Sequence, residues 1–159
     1  IDADERAIAA FRIHRPDDIN LCCGVGEENT TSTMTIFEDG AINSFDAEFA
    51  GQLREKQGRE VRQMRELPVR TLASILDEFL PPGVNIDLLN VDAEGWDTAI
   101  LRANDWKRYR PALILVEDHR MNLANVSGSP SYVLLRGLEY ELIAQTLATS
   151  IYRDTKKAV

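Results

Sequence analysis

Residues 85–96 read Asn85-Ile86-Asp87-Leu88-Leu89-Asn90-Val91-Asp92-Ala93-Glu94-Gly95-Trp96, an apolar run that ends abruptly in two carboxylates and a glycine. The run "NIDLLNV" has the length and composition of a strand buried on both faces. Acids at the mouth of such a strand cost stability through desolvation and are useful for chemistry, so the stretch predicts a site as well as a strand. A second run, "ALILVE" at Ala112 to Glu117, has the same character. A helix over roughly Trp96 to Ala103 fits between them, and two such strands joined by a helix predict a parallel pair.

Toward the N-terminus, Ile1 reads as the end of a strand, Asp2 to Asp4 as a turn, and the residues up to His14 as a helix closed by Pro16. "INLCCGV" (Ile19 to Val25) is another apolar run of strand length, which predicts a parallel unit with the strand ending at Ile1. "TSTMTIF" sets Met34 and Ile36 against threonines, as a strand with one wet face does. Residues 38–66 are polar and read as a surface excursion, with a short helix around Ala47 to Lys56. A short strand into Val69 follows, then a helix with Leu72, Ile75, Leu76 and Phe79 inward, Thr71 as cap and Pro81-Pro82-Gly83 as stop. Ser129 and Pro130 open a last helix that Gly137 ends, and "YELIAQTL" with "TSIYRD" reads as an antiparallel hairpin.

The expected architecture is a single α/β domain over residues 1–159. It is a doubly wound, mostly parallel sheet with helices on both faces and a closing antiparallel hairpin. Such sheets bind ligands beyond the carboxyl ends of their strands. Asp2, Glu27, Asp92 with Glu94, and Glu117 with His119 all fall just past an expected strand end.

The 26 acidic against 18 basic residues give a net charge of -8, which repels phosphate backbones and argues against a nucleic-acid partner. No apolar stretch is long enough for a bilayer span, so no membrane partner is expected. No targeting signal is visible, which sets the expectation of a cytoplasmic protein. Cys22 and Cys23 are adjacent on an expected strand and point to opposite faces, so they read as core residues and not as a disulfide.

The wording around the central unit is more specific. "IDLLNVDAEGWDTAILRANDWKRYRPALILVEDH" resembles the FkbM family of methyltransferases, whose pattern runs apolar strand, D-x-E-G, a helix ending before a leucine, R-P, an apolar strand and E-x-H. Asp92, Glu94, Gly95, Leu101, Arg110, Pro111, Glu117 and His119 supply it in order. "VRTLASIL", "LLRGLEYEL" and "SIYRD" are also similar to that family. The resemblance implies S-adenosylmethionine as cofactor and transfer of a methyl group to a hydroxyl, on a sugar or a polyketide-like small molecule.

The resemblance assigns roles residue by residue, and each has a plainer alternative. Asp2 matches the acid that accepts from both ribose hydroxyls, for which a carboxylate suits because it offers two acceptors and no donor; it could instead cap the first helix. Glu27 falls where the adenine is met, or is a solvated turn residue. Asp92, also at the cofactor, and Glu94 flank the meeting point of methyl donor and acceptor, where a carboxylate can take the hydroxyl proton; alternatively Asp92 caps the next helix and Glu94 favours its positive N-terminal end. Asp92 leads as proton acceptor, with His119 as the second candidate.

The family's glycine-rich loop after its first strand is not in this sequence, which is expected to begin at the tip of the second strand and to hold part of the cofactor pocket. Gly24 and Gly26 of "CCGVGEEN" imitate such a loop, but Asn29 and a strand follow where a glycine and a helix should stand. The absent first strand would lie between Ile1 and the strand Ile86 to Val91, so those two segments are expected not to pair. Asp92, Glu94, Glu117 and His119 also have the ligand types for Mg or Ca, the signature of a rival Mg-dependent hydrolase or phosphotransferase, although no metal is expected. A binding domain that has lost its cofactor is the other alternative.

Overall fold

The structure, a computed structural model, describes residues 1–119 and 121–156. Helix α1 (Glu5–His14) is capped by Asp4, whose side chain accepts from Arg6 N. Strands β1 (Gly24–Val25), β2 (Thr30–Phe37) and β3 (Val61–Arg70) form a three-stranded sheet in the order β1-β3-β2, parallel between β1 and β3 and antiparallel between β2 and β3. Helix α2 (Ala47–Gln57) lies between β2 and β3 in sequence, and α3 (Leu72–Phe79) follows with Thr71 as its cap. Strand β4 (Leu88–Val91), helix α4 (Asp97–Arg102) and strand β5 (Leu113–Glu117) make the expected parallel crossover unit. Helix α5 (Pro130–Gly137) and strands β6 (Tyr140–Gln145) and β7 (Thr149–Asp154) complete a four-stranded sheet in the order β4-β5-β7-β6.

The fold is therefore α/β with two mixed sheets, in place of the one doubly wound, mostly parallel sheet expected. Among the described residues, β5 with β7, β6 with β7 and β2 with β3 are all antiparallel. The Ile19 to Val25 run contributes only the two residues of β1 and one parallel bridge, Asp2 with Cys22. That bridge is made by Asp2 N to Leu21 O at 3.1 Å and Cys23 N to Asp2 O at 3.2 Å. As the sequence predicts, the N-terminal segment forms no ladder with β4, which pairs with β5 alone.

One-sided pairing explains a second difference. β4 was expected to be buried on both faces, yet Leu88 is 52% exposed and Asn90 is exposed, with only Val91 buried. The strand is an edge, so part of its surface meets solvent and the cleft beside it. β5 sits between two partners and buries Ile114 and Val116 completely.

The main core packs on this second sheet: Leu72 of α3, Ile100 and Leu101 of α4, and Leu135 of α5 close over Val91, Ile114, Val116, Tyr140 and Tyr152. The R-P pair of the motif is structural. Arg110 grips the fully buried Asp154 with Nε at 3.1 Å and Nη2 at 2.6 Å, and its guanidinium lies 4.8 Å from the Tyr140 ring centre. Tyr140 in turn donates to the Pro111 carbonyl at 2.9 Å.

Within residues 38–66 the expected short helix is present as α2. These residues pack Ala50 and Leu53 of α2 on Phe37 and carry the first half of a ten-residue β3. Val61 to Glu66 are exposed along β3, which removes the apolar periodicity by which a strand is recognised in sequence. Both cysteines are free, with Cys23 buried.

Candidate functional site

The turn after β4 is tightly specified. Glu94 has φ 46° and Gly95 φ 104°, both in the left-handed region. A Cβ on Gly95 would also stand 3.2 Å from Asp46 Oδ2, so the position is held to glycine by conformation and by space. From inside the turn, Asp97 accepts from Ala93 N at 2.9 Å and from Gly95 N at 3.3 Å. From across the molecule, Ser44 Oγ donates to the Glu94 carbonyl at 2.7 Å. The helix that follows opens at Trp96 without a side-chain cap, and Asp97 instead holds N–H groups of the turn before it.

This geometry turns the Asp92 and Glu94 side chains toward the tip of β5. Oxygens of Asp92, Glu94 and Glu117 lie within 4.8 Å of one another, close enough in principle for a single divalent ion. His119 joins the group through Nε2, 3.2 Å from Glu117 Oε1. Glu117 Oε2 is buried without a hydrogen-bond partner. Burial first, then the Glu117 and Asp92 carboxylates, push the Glu94 carboxyl up to about 7. Burial and the Asp92 charge raise Glu117 as well. Asp97 is raised by burial against the lowering effect of the backbone N–H groups it accepts from.

Two cavities meet at this cluster. The first, about 400 Å³, is the cleft between the sheets: Asp2, Ala3 and Cys23 face Leu89, Val91 and Asp92 across it. The second, about 770 Å³, lies between α2 and the tip of β5 and is lined by Asp46, Gln52, Glu117 and His119 among others. Glu94 lines both. The structure thus brings Asp2, Asp92, Glu94, Glu117 and His119 to one site, with Asp2 holding Asp4 N at 2.8 Å through Oδ1.

Glu27 is the exception. It is exposed and lines a separate depression with Thr30 and Ser32, away from the Asp2 cleft. The turn it belongs to is filled from below: a Cβ on Gly24 would come within 2.7 Å of the Phe45 ring, and one on Gly26 within 2.9 Å of the Trp96 ring. Phe45 and Trp96 stack at 5.1 Å between centroids, so these glycines make room for aromatic packing, and Gly24 also lines the first cleft.

The Methyltransferase FkbM domain family matches residues 4–141, which takes in the second cavity, the first apart from Ile1, Asp2 and Ala3, and every element from α1 to the start of β6. The chain belongs to the FkbM methyltransferase family. No curated protein and no solved structure matches it. In this FkbM domain the D-x-E-G and E-x-H residues converge on the carboxylate cluster, whereas Leu101 and the R-P pair build the core behind it. Ser44, Asp46 and Asp97 carry no signal in the sequence. The first two act through contacts some fifty residues away, and Asp97 resembles any acid in a first helical turn.

Among the described residues no helix is long and apolar enough to cross a membrane.

Proposed function

We propose that this FkbM domain is an S-adenosylmethionine-dependent methyltransferase that methylates a hydroxyl on a sugar or polyketide-like small molecule. The observation that carries the reading is Glu94, a carboxyl raised to about 7 that forms a wall of both cavities. A group poised near neutral pH between two ligand-sized spaces suits a proton acceptor between donor and acceptor molecules.

The residues of the first cleft fit the cofactor. Its volume is in the ligand range, Leu72, Leu89 and Trp96 supply apolar walls, and Asp2 and Asp92 supply carboxylates on either side. Asp2 would hold the ribose hydroxyls. When bound, S-adenosylmethionine supplies a methyl group already activated on a sulfonium. The protein's own residues then have two tasks: to hold the acceptor hydroxyl in line, and to take its proton. Glu94 takes it, a role first expected of Asp92. Asp92 is exposed, whereas Glu94 is half-buried between the two spaces. Glu117 and His119 orient the acceptor from the far side of the second cavity. Six carboxylates line that cavity, from Asp46, Glu48, Glu94, Asp97, Glu117 and Asp118, against Arg102 and His119. Such a lining disfavours phosphorylated or carboxylated acceptors and favours a polyol whose hydroxyls donate.

The test is a thermal shift on the full-length protein with S-adenosylhomocysteine and with Mg separately, because a ligand of the native state raises the melting temperature. A rise with the nucleoside alone is expected. A rise with Mg alone moves the carboxylate cluster to the hydrolase or phosphotransferase reading, and no rise with either points to a binding domain.

A further inference from the structure

We infer that Ser44 is a positioning residue of this site, holding Glu94 in the left-handed conformation that puts its carboxylate between the two cavities. The inference rests on the role of Glu94 proposed above and concerns how that role is built.

Ser44 is 2% exposed and tied on every side. Its backbone forms a two-bond bridge with Thr35 of β2, Thr35 N to Ser44 O at 2.9 Å and Ser44 N to Thr35 O at 3.1 Å. Its hydroxyl accepts from Asp46 N at 2.9 Å and donates to Glu94 O at 2.7 Å. Asp46 is itself fixed by accepting from Glu48 N and Phe49 N, both at 2.9 Å, at the start of α2. The first sheet thus reaches across to the turn after β4 through one hydroxyl.

A glutamate at φ 46° is strained by about 1–3 kcal/mol, and such a conformation persists only where surrounding contacts over-determine it. Here the contacts are Asp97 inside the turn and Ser44 outside it. Asp97 holds the N–H groups of Ala93 and Gly95, on either side of Glu94. Ser44 holds the carbonyl end of the Glu94–Gly95 peptide plane at 2.7 Å and Asp97 its N–H end at 3.3 Å, so among the described residues the Ser44 bond is the shorter hold on the plane that follows the Glu94 Cα. With the hydroxyl removed, Glu94 is free to relax to a φ below zero, which swings its side chain away from Glu117 and the shared wall.

The experiment is NMR of the isotopically labelled full-length protein without donor or acceptor. It reads the Glu94 Cα shift and amide coupling, which report the sign of φ, in wild type, Ser44→Ala and Ser44→Thr. The expected result is a left-handed signature in wild type, its loss in Ser44→Ala with α5 signals unmoved, and its return in Ser44→Thr, which keeps the hydroxyl. An unchanged Glu94 signature in Ser44→Ala overturns the inference. Should Ser44→Ala fail to fold, Ser44→Cys, of similar size and a weak donor, is read in the same way, and an unchanged signature there overturns it equally. Since the signature needs no ligand, a protein that binds no methyl donor would sink the functional reading and leave this result standing.

Discussion

Two turns in this molecule carry glycines just past a strand end, and they have opposite characters. At β1, Gly24 within the strand and Gly26 just past it are glycines because the Phe45 and Trp96 rings occupy the space a side chain would need. After β4, Gly95 is a glycine because the chain turns through φ 104° beside Asp46, and the residue before it, Glu94, shares the left-handed conformation while facing two cavities. The first turn is filled by hydrophobic packing; the second is kept open and lined with carboxylates. A glycine pattern alone does not separate a packing device from a chemical one, and the neighbours of the missing Cβ do.

The contrast is broken most sharply at Glu94. Glu94→Gln should lower methyl transfer by roughly two to four orders of magnitude, the usual range for a general base, while S-adenosylhomocysteine binding by calorimetry stays near wild type. Asp92→Asn should cost less; a larger loss there would return the proton acceptor to Asp92. In the wild type, turnover should rise with pH through about 7 as the raised Glu94 carboxyl ionises.

Asp2→Ala acts on the other wall. It should weaken the nucleoside by about ten- to a hundredfold, the worth of hydrogen bonds to a charged group, and change turnover at saturating donor little. Equal loss of nucleoside affinity in Asp2→Ala and Glu94→Gln would erase the division of labour between the two cavities.

Substitutions at the glycines compare the turns directly. Gly26→Ala should destabilise by about 1–3 kcal/mol in denaturant melts through overpacking against Val69 and Trp96, with the pH profile of turnover unmoved. Gly95→Ala should cost a similar amount, about 1–3 kcal/mol, through backbone strain, and should also disturb that profile because it shifts Glu94. A Gly95→Ala protein with a wild-type profile would show that the two turns are equivalent.

The smallest effect is on stability against pH. Glu94 is raised from 4.5 to about 7 in the folded protein, so its protonated form favours folding; that contribution is complete below about pH 4.5 and lost as pH rises through about 7. Glu94→Gln, which cannot ionise, should therefore match wild type in melting temperature near about pH 5 and exceed it near about pH 8. A difference independent of pH would show that the carboxylate is not desolvated.

What the sequence discloses follows from the range of the contacts involved. The helix spans, the Thr71 and Ser129 caps, the β4-α4-β5 crossover and the C-terminal hairpin all rest on local periodicity and capping chemistry, and all are present. The carboxylate cluster is legible because D-x-E-G and E-x-H each sit at a strand tip and β4 pairs with β5. The division into two sheets is not legible, because apolar runs such as Ile19 to Val25 state a tendency to be buried and not a pairing partner. The first half of β3 is not legible because its first six residues are exposed and four of them, Arg62, Gln63, Arg65 and Glu66, are polar. Glu27 stands exposed in a depression with Thr30 and Ser32, and nothing local in the sequence reports that placement.

One carboxyl group forms a wall of both cavities, and that sharing makes the two spaces thermodynamically linked. Charge entering either cavity changes how firmly Glu94 holds its proton, and the protonation state of Glu94 changes the affinity of the other cavity in return. Reciprocity requires the coupling to be equal in both directions, so a charge placed in one cavity would change affinity in the other by the same factor whichever is filled first.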